Sequence, residues 1–124
     1  MYIGKTYHFD AAHYIPGHEK CGKTHGHTWT LEVMVEGVVD KHSSMVLDFH
    51  TLNTFVEEVI SFLDHKTLNE VLPFVPTAEN IASYLQESLQ RILSVCHNKV
   101  FSYKKVYIRL QEGQGGYADT RKLT

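Results

Sequence analysis

The run from His27 to Glu36 constrains this chain more than any other stretch. Trp29, Leu31, Val33 and Val35 share one parity, and Thr28, Thr30, Glu32 and Glu36 share the other, with Met34 alone interrupting the polar side. Period-two alternation of this kind describes a strand with one buried face. Such a face needs an apolar layer to cover it. Two mid-chain segments can supply it. Between Thr51 and Leu63, apolar residues fall at 52, 55, 56, 59, 60 and 63, the stripe of an amphipathic helix. From Ala78 to Cys96, Ile81, Leu85, Leu89, Ile92 and Cys96 recur near the helical period, after a start signal at Pro76 and Thr77. Cys96 at the end of this stripe reads as core packing.

The remaining elements are strands and turns. Tyr2 to Phe9 carries Ile3, Tyr7 and Phe9 on one parity and reads as a strand, despite Lys5 on that face. Pro16, Gly17 and Gly22 make residues 14 to 24 a loop. Residues 37 to 48 read as a connection with a short extended piece at Met45 to Leu47. Val106, Ile108 and Leu110 alternate with Tyr107, Arg109 and Gln111 in a further strand. The Gly113 to Gly116 turn then leads into a short terminal strand. The expected order is ββααββ: an α+β, two-layer domain, with a four-stranded antiparallel sheet covered on one face by two helices. With 124 residues and no composition shift or repeat, residues 1–124 form one domain.

Composition narrows the function classes. A formal net charge of −2 and only three arginines give no clustered basic surface, so nucleic acid is not an expected partner. No stretch reaches the roughly 18 apolar residues of a membrane span, so no membrane partner is expected. The first residues lack the pattern of a signal peptide, and the chain is expected to be cytoplasmic. Two cysteines, Cys21 and Cys96, then read as free thiols. Nine histidines are the unusual feature, because imidazole is the commonest metal ligand.

His25 and His27 enter the best strand on its core-facing parity, about 7 Å apart along it. That spacing suits two ligands of one ion. His13 continues the register Phe9, Ala11, His13, and antiparallel pairing of the two strands would bring it alongside. Three neutral histidines with an open position describe a catalytic zinc site, whereas Cys21 as a fourth ligand would close it. Glu112 has the parity of Val106, Ile108 and Leu110, so an acidic group stands at the mouth of the core-facing row and needs a partner. The stretch Gly17 to Thr24 satisfies the nucleotide-binding P-loop pattern, but the strongest strand, not a helix, follows it within three residues.

Three stretches carry a resemblance: Phe9-Asp10-Ala11-Ala12-His13, Cys21-Gly22-Lys23-Thr24-His25-Gly26-His27, and Leu63-Asp64-His65-Lys66-Thr67-Leu68-Asn69. With Met45-Val46-Leu47-Asp48-Phe49 and Pro76-Thr77-Ala78-Glu79-Asn80, they resemble the 6-pyruvoyl-tetrahydropterin synthase family. The four-residue step from Cys21 to His25 resembles the 6-carboxytetrahydropterin synthases of the queuosine pathway.

The resemblance implies one Zn2+ per subunit on His13, His25 and His27, and 7,8-dihydroneopterin triphosphate as substrate. It also implies the tunnelling fold, with homo-oligomeric barrels, a hexamer as a dimer of trimers, and sites at subunit boundaries. Cys21 fits a general base, because a thiol near Lys20, Lys23 and a metal can ionise. Read from spacing alone, Asp64 is a surface carboxylate and His65 a favourable group at a helix end; the resemblance makes them a proton relay for Cys21. It likewise makes Glu112 the pterin anchor, with Thr77 and Glu79 as further contacts; by position these two are equally a helix N-cap and a first-turn charge. The expected product is 6-carboxytetrahydropterin, with acetaldehyde and triphosphate released. The alternatives are 6-pyruvoyltetrahydropterin, or a metal- or pterin-binding module without catalysis. Lys20, Lys23 and Lys66 are candidates for holding the triphosphate. After Glu112 the chain reads Gly-Gln-Gly-Gly-Tyr, which departs from the family's usual Thr-Pro-rich segment.

Overall fold

A computed structural model describes residues 1–95 and 103–121, and the side chains of 103 and 104 are left aside. The elements are β1 (Tyr2–His13), β2 (His25–Gly37), α1 (Phe49–Ser61), β3 (Lys66–Thr67), α2 (Leu68–Val71), α3 (Ala78–Val95), β4 (Tyr103–Glu112) and β5 (Tyr117–Asp119). The sheet runs β3-β1-β2-β4-β5. Its centre is the β1–β2–β4 antiparallel set, in which Tyr2 pairs with Glu36 and His13 with His25.

The period-two reading of β2 holds: Trp29, Leu31, Val33 and Val35 are fully buried. Each is packed between the sheet and the helices, where burial of a large apolar side chain stabilises by roughly 1.5–3 kcal/mol. The α3 stripe of Ile81, Leu85, Leu89 and Leu93 covers that face together with Leu52 and Val56 of α1. Truncating one of these, as in Leu85→Ala, should cost about 2–5 kcal/mol through the cavity left behind. On β1, Lys5 shares the core parity but is only half-buried, and its ammonium lies 5.8 Å from the centre of the Tyr7 ring. Cys96 lies outside the described residues.

Several expectations are corrected. The sheet has five strands and is mixed, because Lys66–Thr67 pairs parallel with Ala11 and Ala12 of β1. The cause is local. His65 has φ 60 and turns the chain after α1, and its N–H donates to the Asp10 carbonyl at 2.6 Å. A short third helix, α2, follows directly. Helix α1 begins two residues earlier than expected, where the Asp48 carboxylate accepts from the His50 N–H at 2.7 Å as N-cap. Met45 to Leu47 forms no strand; Val46 and Leu47 instead bury their side chains from an irregular connection. β1 and β2 both extend further toward the histidines than the expected limits of Phe9 and His27. No described helix is long and apolar enough to cross a membrane.

Candidate metal centre and active site

The strand register assembles the histidine cluster. His13 sits directly across from His25, and Ala11 across from His27, so all three imidazoles project from adjoining positions on the core-facing parity. Their ring centres are 4.7 Å (His13–His25), 4.8 Å (His25–His27) and 5.2 Å (His13–His27) apart. Trp29 floors the group, with its ring 5.1 Å from that of His13. Glu112 joins from β4, where it pairs with Trp29. Its carboxylate lies 3.0 Å from His27 Nε2 and 3.9 Å from His13 Nε2. One ligand atom from each of the four residues lies within 4.8 Å of every other.

Two carbonyls set the tautomers. A carbonyl oxygen can only accept, so His13 donates through Nδ1–H to Pro76 at 2.8 Å and His25 through Nδ1–H to Lys23 at 2.7 Å. Their Nε2 lone pairs are therefore available. His13 is almost wholly buried, yet its Nε2 has no hydrogen-bond partner, and the Nε2 of His27 makes none of acceptable geometry despite its closeness to Glu112. Buried polar atoms are normally satisfied, so orphaned imidazole nitrogens converging on one point fit a cation held there. Burial lowers the His27 pKa below the ordinary imidazole range; Glu112 pulls the other way, while His13 and His25 add to the lowering. A neutral ring is the form that ligates metal. After Glu112 the chain turns at Gly113, with φ 54, where an added Cβ would meet His27 Nδ1 at 3.4 Å.

A cavity of about 350 Å³ opens beside this cluster, bordered by Cys21, His18, Thr77, Glu79, Glu112 and Tyr117 among others. Four predicted site residues thus meet at one place: Cys21, Thr77, Glu79 and Glu112. Thr77 also does its capping work, since its hydroxyl accepts from the Asn80 N–H at 3.2 Å. Asp64 and His65 stand elsewhere. His65, paired with Asp64, borders a second cavity of about 520 Å³ with Asp10, Thr28, Lys66 and His27. Within one chain, Cys21 and His65 border different cavities, which approach each other where His27 of one wall meets Glu112 of the other. The Asp64–His65 pair is nevertheless well built. His65 Nδ1 is 3.0 Å from one Asp64 oxygen, and the other accepts from the Asp10 N–H at 2.9 Å. These bonds, the Asp10 N–H foremost, hold the Asp64 carboxyl below its ordinary pKa.

Two contributors escaped the sequence reading. Asp10 accepts from the Thr28 hydroxyl at 2.6 Å and ties His65 to β1. Its signal was its place in the Phe9–His13 stretch. His18 borders the smaller cavity, and its position inside the P-loop-like run was the only cue. That run forms turns leading straight into β2, with no helix after it.

An α+β domain with three converging imidazoles at one end of its sheet, and a cavity holding a thiol and two carboxylates, defines a class of enzyme built around a metal-ready pocket. Residues 2–122 match the family model described as 6-pyruvoyl tetrahydropterin synthase. The chain belongs to that family and is a lyase-type enzyme of it. It is 41% identical to a provisional 6-carboxy-5,6,7,8-tetrahydropterin synthase of Archaeoglobus fulgidus, over 98% of this chain and 96% of that one. It is 42% identical to a dihydroneopterin monophosphate aldolase of Pyrococcus furiosus, over 68% of this chain and 71% of that one. Its fold matches the 6-pyruvoyl tetrahydropterin synthase of Caenorhabditis elegans with a TM-score of 0.81 and 26% identity, covering 99% of this chain and 96% of the other.

Proposed function

We propose that the chain is a zinc-dependent lyase that converts 7,8-dihydroneopterin triphosphate to 6-carboxytetrahydropterin, releasing acetaldehyde and triphosphate, in queuosine biosynthesis. The observation that carries this is the convergence of three imidazoles, two with fixed Nδ1–H tautomers, beside a cavity containing Cys21. The similarity to the Archaeoglobus chain favours the carboxy product.

His13, His25 and His27 would hold zinc, which when bound supplies Lewis acidity toward substrate oxygens. The Cys21 thiol takes the proton from the substrate side chain as general base. Glu112, with Glu79 on the same cavity, offers carboxylate oxygens to the parallel N–H donors of a pterin edge, and Thr77 contributes its hydroxyl. His65, oriented by Asp64, carries protons at the neighbouring wall.

The edges of the sheet support a reading as an oligomer. β3 covers only Ala11 and Ala12, which leaves most of the outer edge of β1 without a partner strand among the described residues. The outer edge of β4, by contrast, is capped by side chains: Gln90 accepts from the Val106 N–H, Gln86 donates to the Val106 carbonyl, and the Thr120 hydroxyl accepts from the Ile108 N–H. An open strand edge is a ready site for a second copy, and the reading is a homohexamer of two trimeric barrels. In it a neighbouring copy brings its Asp64–His65 pair to Cys21. The protein works in the cytoplasm.

Mass spectrometry of zinc-loaded enzyme with dihydroneopterin triphosphate tests the reaction. The expected products are 6-carboxytetrahydropterin and acetaldehyde. Accumulation of 6-pyruvoyltetrahydropterin without acetaldehyde, or release of glycolaldehyde as from an aldolase, would overturn it. Unchanged biological activity after Cys21→Ala would point instead to a non-catalytic binding module.

A further inference from the structure

The loop before β2 is closed by three nested bonds. The Ile15 N–H donates to the Cys21 carbonyl at 2.7 Å, the His18 N–H to the Ile15 carbonyl at 3.1 Å, and the Cys21 N–H to His18 Nδ1 at 2.8 Å. The closure is tight enough that a Cβ at Gly22 would sit 2.3 Å from the His18 carbonyl oxygen. The last of the three bonds settles the chemistry of His18. A backbone N–H can only donate, so Nδ1 must carry a lone pair, and the ring proton of neutral His18 is on Nε2. That Nε2–H has no partner among the described residues.

His18 borders the same cavity as Cys21, Glu79 and Glu112. The two carboxylates make one wall suited to N–H donors and hostile to anions. A further wall is the loop of His18 and Cys21, which carries Lys20 and Lys23 in its sequence. A donor placed on this wall suits a negatively charged oxygen.

We propose that His18 is a substrate-binding residue whose Nε2–H donates to a phosphate oxygen of the ligand, while its Nδ1, held by the Cys21 N–H, fixes both the tautomer and the position of Cys21. This rests on the reading of the cavity as a pterin triphosphate site. It adds a contact outside the predicted set, and it explains why a histidine rather than a lysine stands here: lysine has no acceptor for the Cys21 N–H.

Two isosteres separate the two ends of the ring. His18→Asn keeps an acceptor at the Nδ1 position and loses the distal donor; His18→Gln keeps a donor at the Nε2 position and loses the acceptor. Both are made in a Cys21→Ala background, which retains the residue 21 N–H and prevents turnover, and dissociation constants are measured by fluorescence for dihydroneopterin triphosphate and for dihydroneopterin. Zinc content and Tm are recorded alongside.

The expected result is that His18→Asn weakens the triphosphate about ten- to a hundredfold, as loss of a hydrogen bond to a charged group should. His18→Gln should weaken it about threefold or less, with dihydroneopterin affinity and zinc content unmoved in both. A larger loss in His18→Gln than in His18→Asn would overturn the proposal in favour of loop anchoring alone, as would equal losses on both ligands or none on either. If the Cys21→Ala parent binds neither pterin, the pterin reading fails and this proposal with it. A parent that binds while His18→Asn has no effect refutes this proposal only.

Discussion

Two groups of acidic and imidazole side chains, each with its ligand atoms within 4.8 Å of one another, stand at the same end of the sheet, and they are opposites. At the core-facing end, His13, His25, His27 and Glu112 stand on rigid paired strands, partly or wholly buried, with the Nε2 atoms of His13 and His27 unsatisfied. At the sheet edge, Asp10, Asp64 and His65 are more exposed, and both carboxylates are engaged by protein donors. The difference teaches how to separate a ligand cradle from a positioned proton carrier. A cradle leaves lone pairs aimed at a common point and has no internal means of satisfying them. The edge group spends its hydrogen-bonding capacity on holding one imidazole, and it does so on a backbone with φ 60 at His65, a conformation that costs a non-glycine residue of order 1 kcal/mol or more and clusters at functional sites.

The largest effect should come from breaking the cradle. His25→Ala removes one of three converging donors, and metal affinity should fall by at least the 10–100-fold seen when mere supporting residues of such sites are lost. Zinc measured by plasma emission on dialysed protein should drop from about one per chain to near none, with turnover lost; retention of stoichiometric zinc would refute the three-histidine assignment. The mirror variant, Asp64→Asn, should leave zinc content untouched. Next in size is Cys21→Ala, expected to retain zinc while kcat falls about 10²–10⁴-fold, the usual worth of a general base. Equal loss of zinc and turnover would make Cys21 a fourth ligand instead.

The same contrast appears in thermal stability. A ligand present at a hundred times its dissociation constant stabilises the folded state by about 2.7 kcal/mol. Chelation should therefore lower Tm by roughly 5–15 °C in a domain of this size. The drop should vanish in His25→Ala and persist in Asp64→Asn. A chelator-sensitive Tm in His25→Ala would place the metal at the edge group.

Much of the cradle was legible before any coordinates, and for a definite reason. Strand parity is a strict geometric rule, so His25 and His27 had to share the face of Trp29, and His13 that of Phe9. The same rule placed Glu112 on the core-facing row. What parity cannot give is the register between strands, and it is register that sets Glu112 opposite Trp29 and within 3.0 Å of His27. The edge group was less legible. β3 is two residues long and exists because His65 adopts a left-handed turn that no glycine announces. Spacing along α1 therefore said nothing of where Asp64 would point, and the placement of its partner His65 in a cavity other than that of Cys21 is a purely tertiary result.

The smallest effect concerns how firmly the edge group is charged. Asp64 has its pKa lowered in the folded state, first by the Asp10 N–H and then by His65. A carboxyl with a depressed folded pKa contributes stability that is present above its unfolded value near 3.9, and that contribution is lost as pH falls through the lower folded value. Wild-type protein should thus exceed Asp64→Asn in stability at pH 7, and the gap should close in acid, as pH falls through the lowered folded value. Because Asp64 is more than a third exposed, screening keeps that gap under about 1 kcal/mol. Paired urea titrations at pH 7 and in acid measure it. A gap that instead widens in acid would mean that Asp64 is held as the neutral carboxyl, and that it does not orient His65 as an anion.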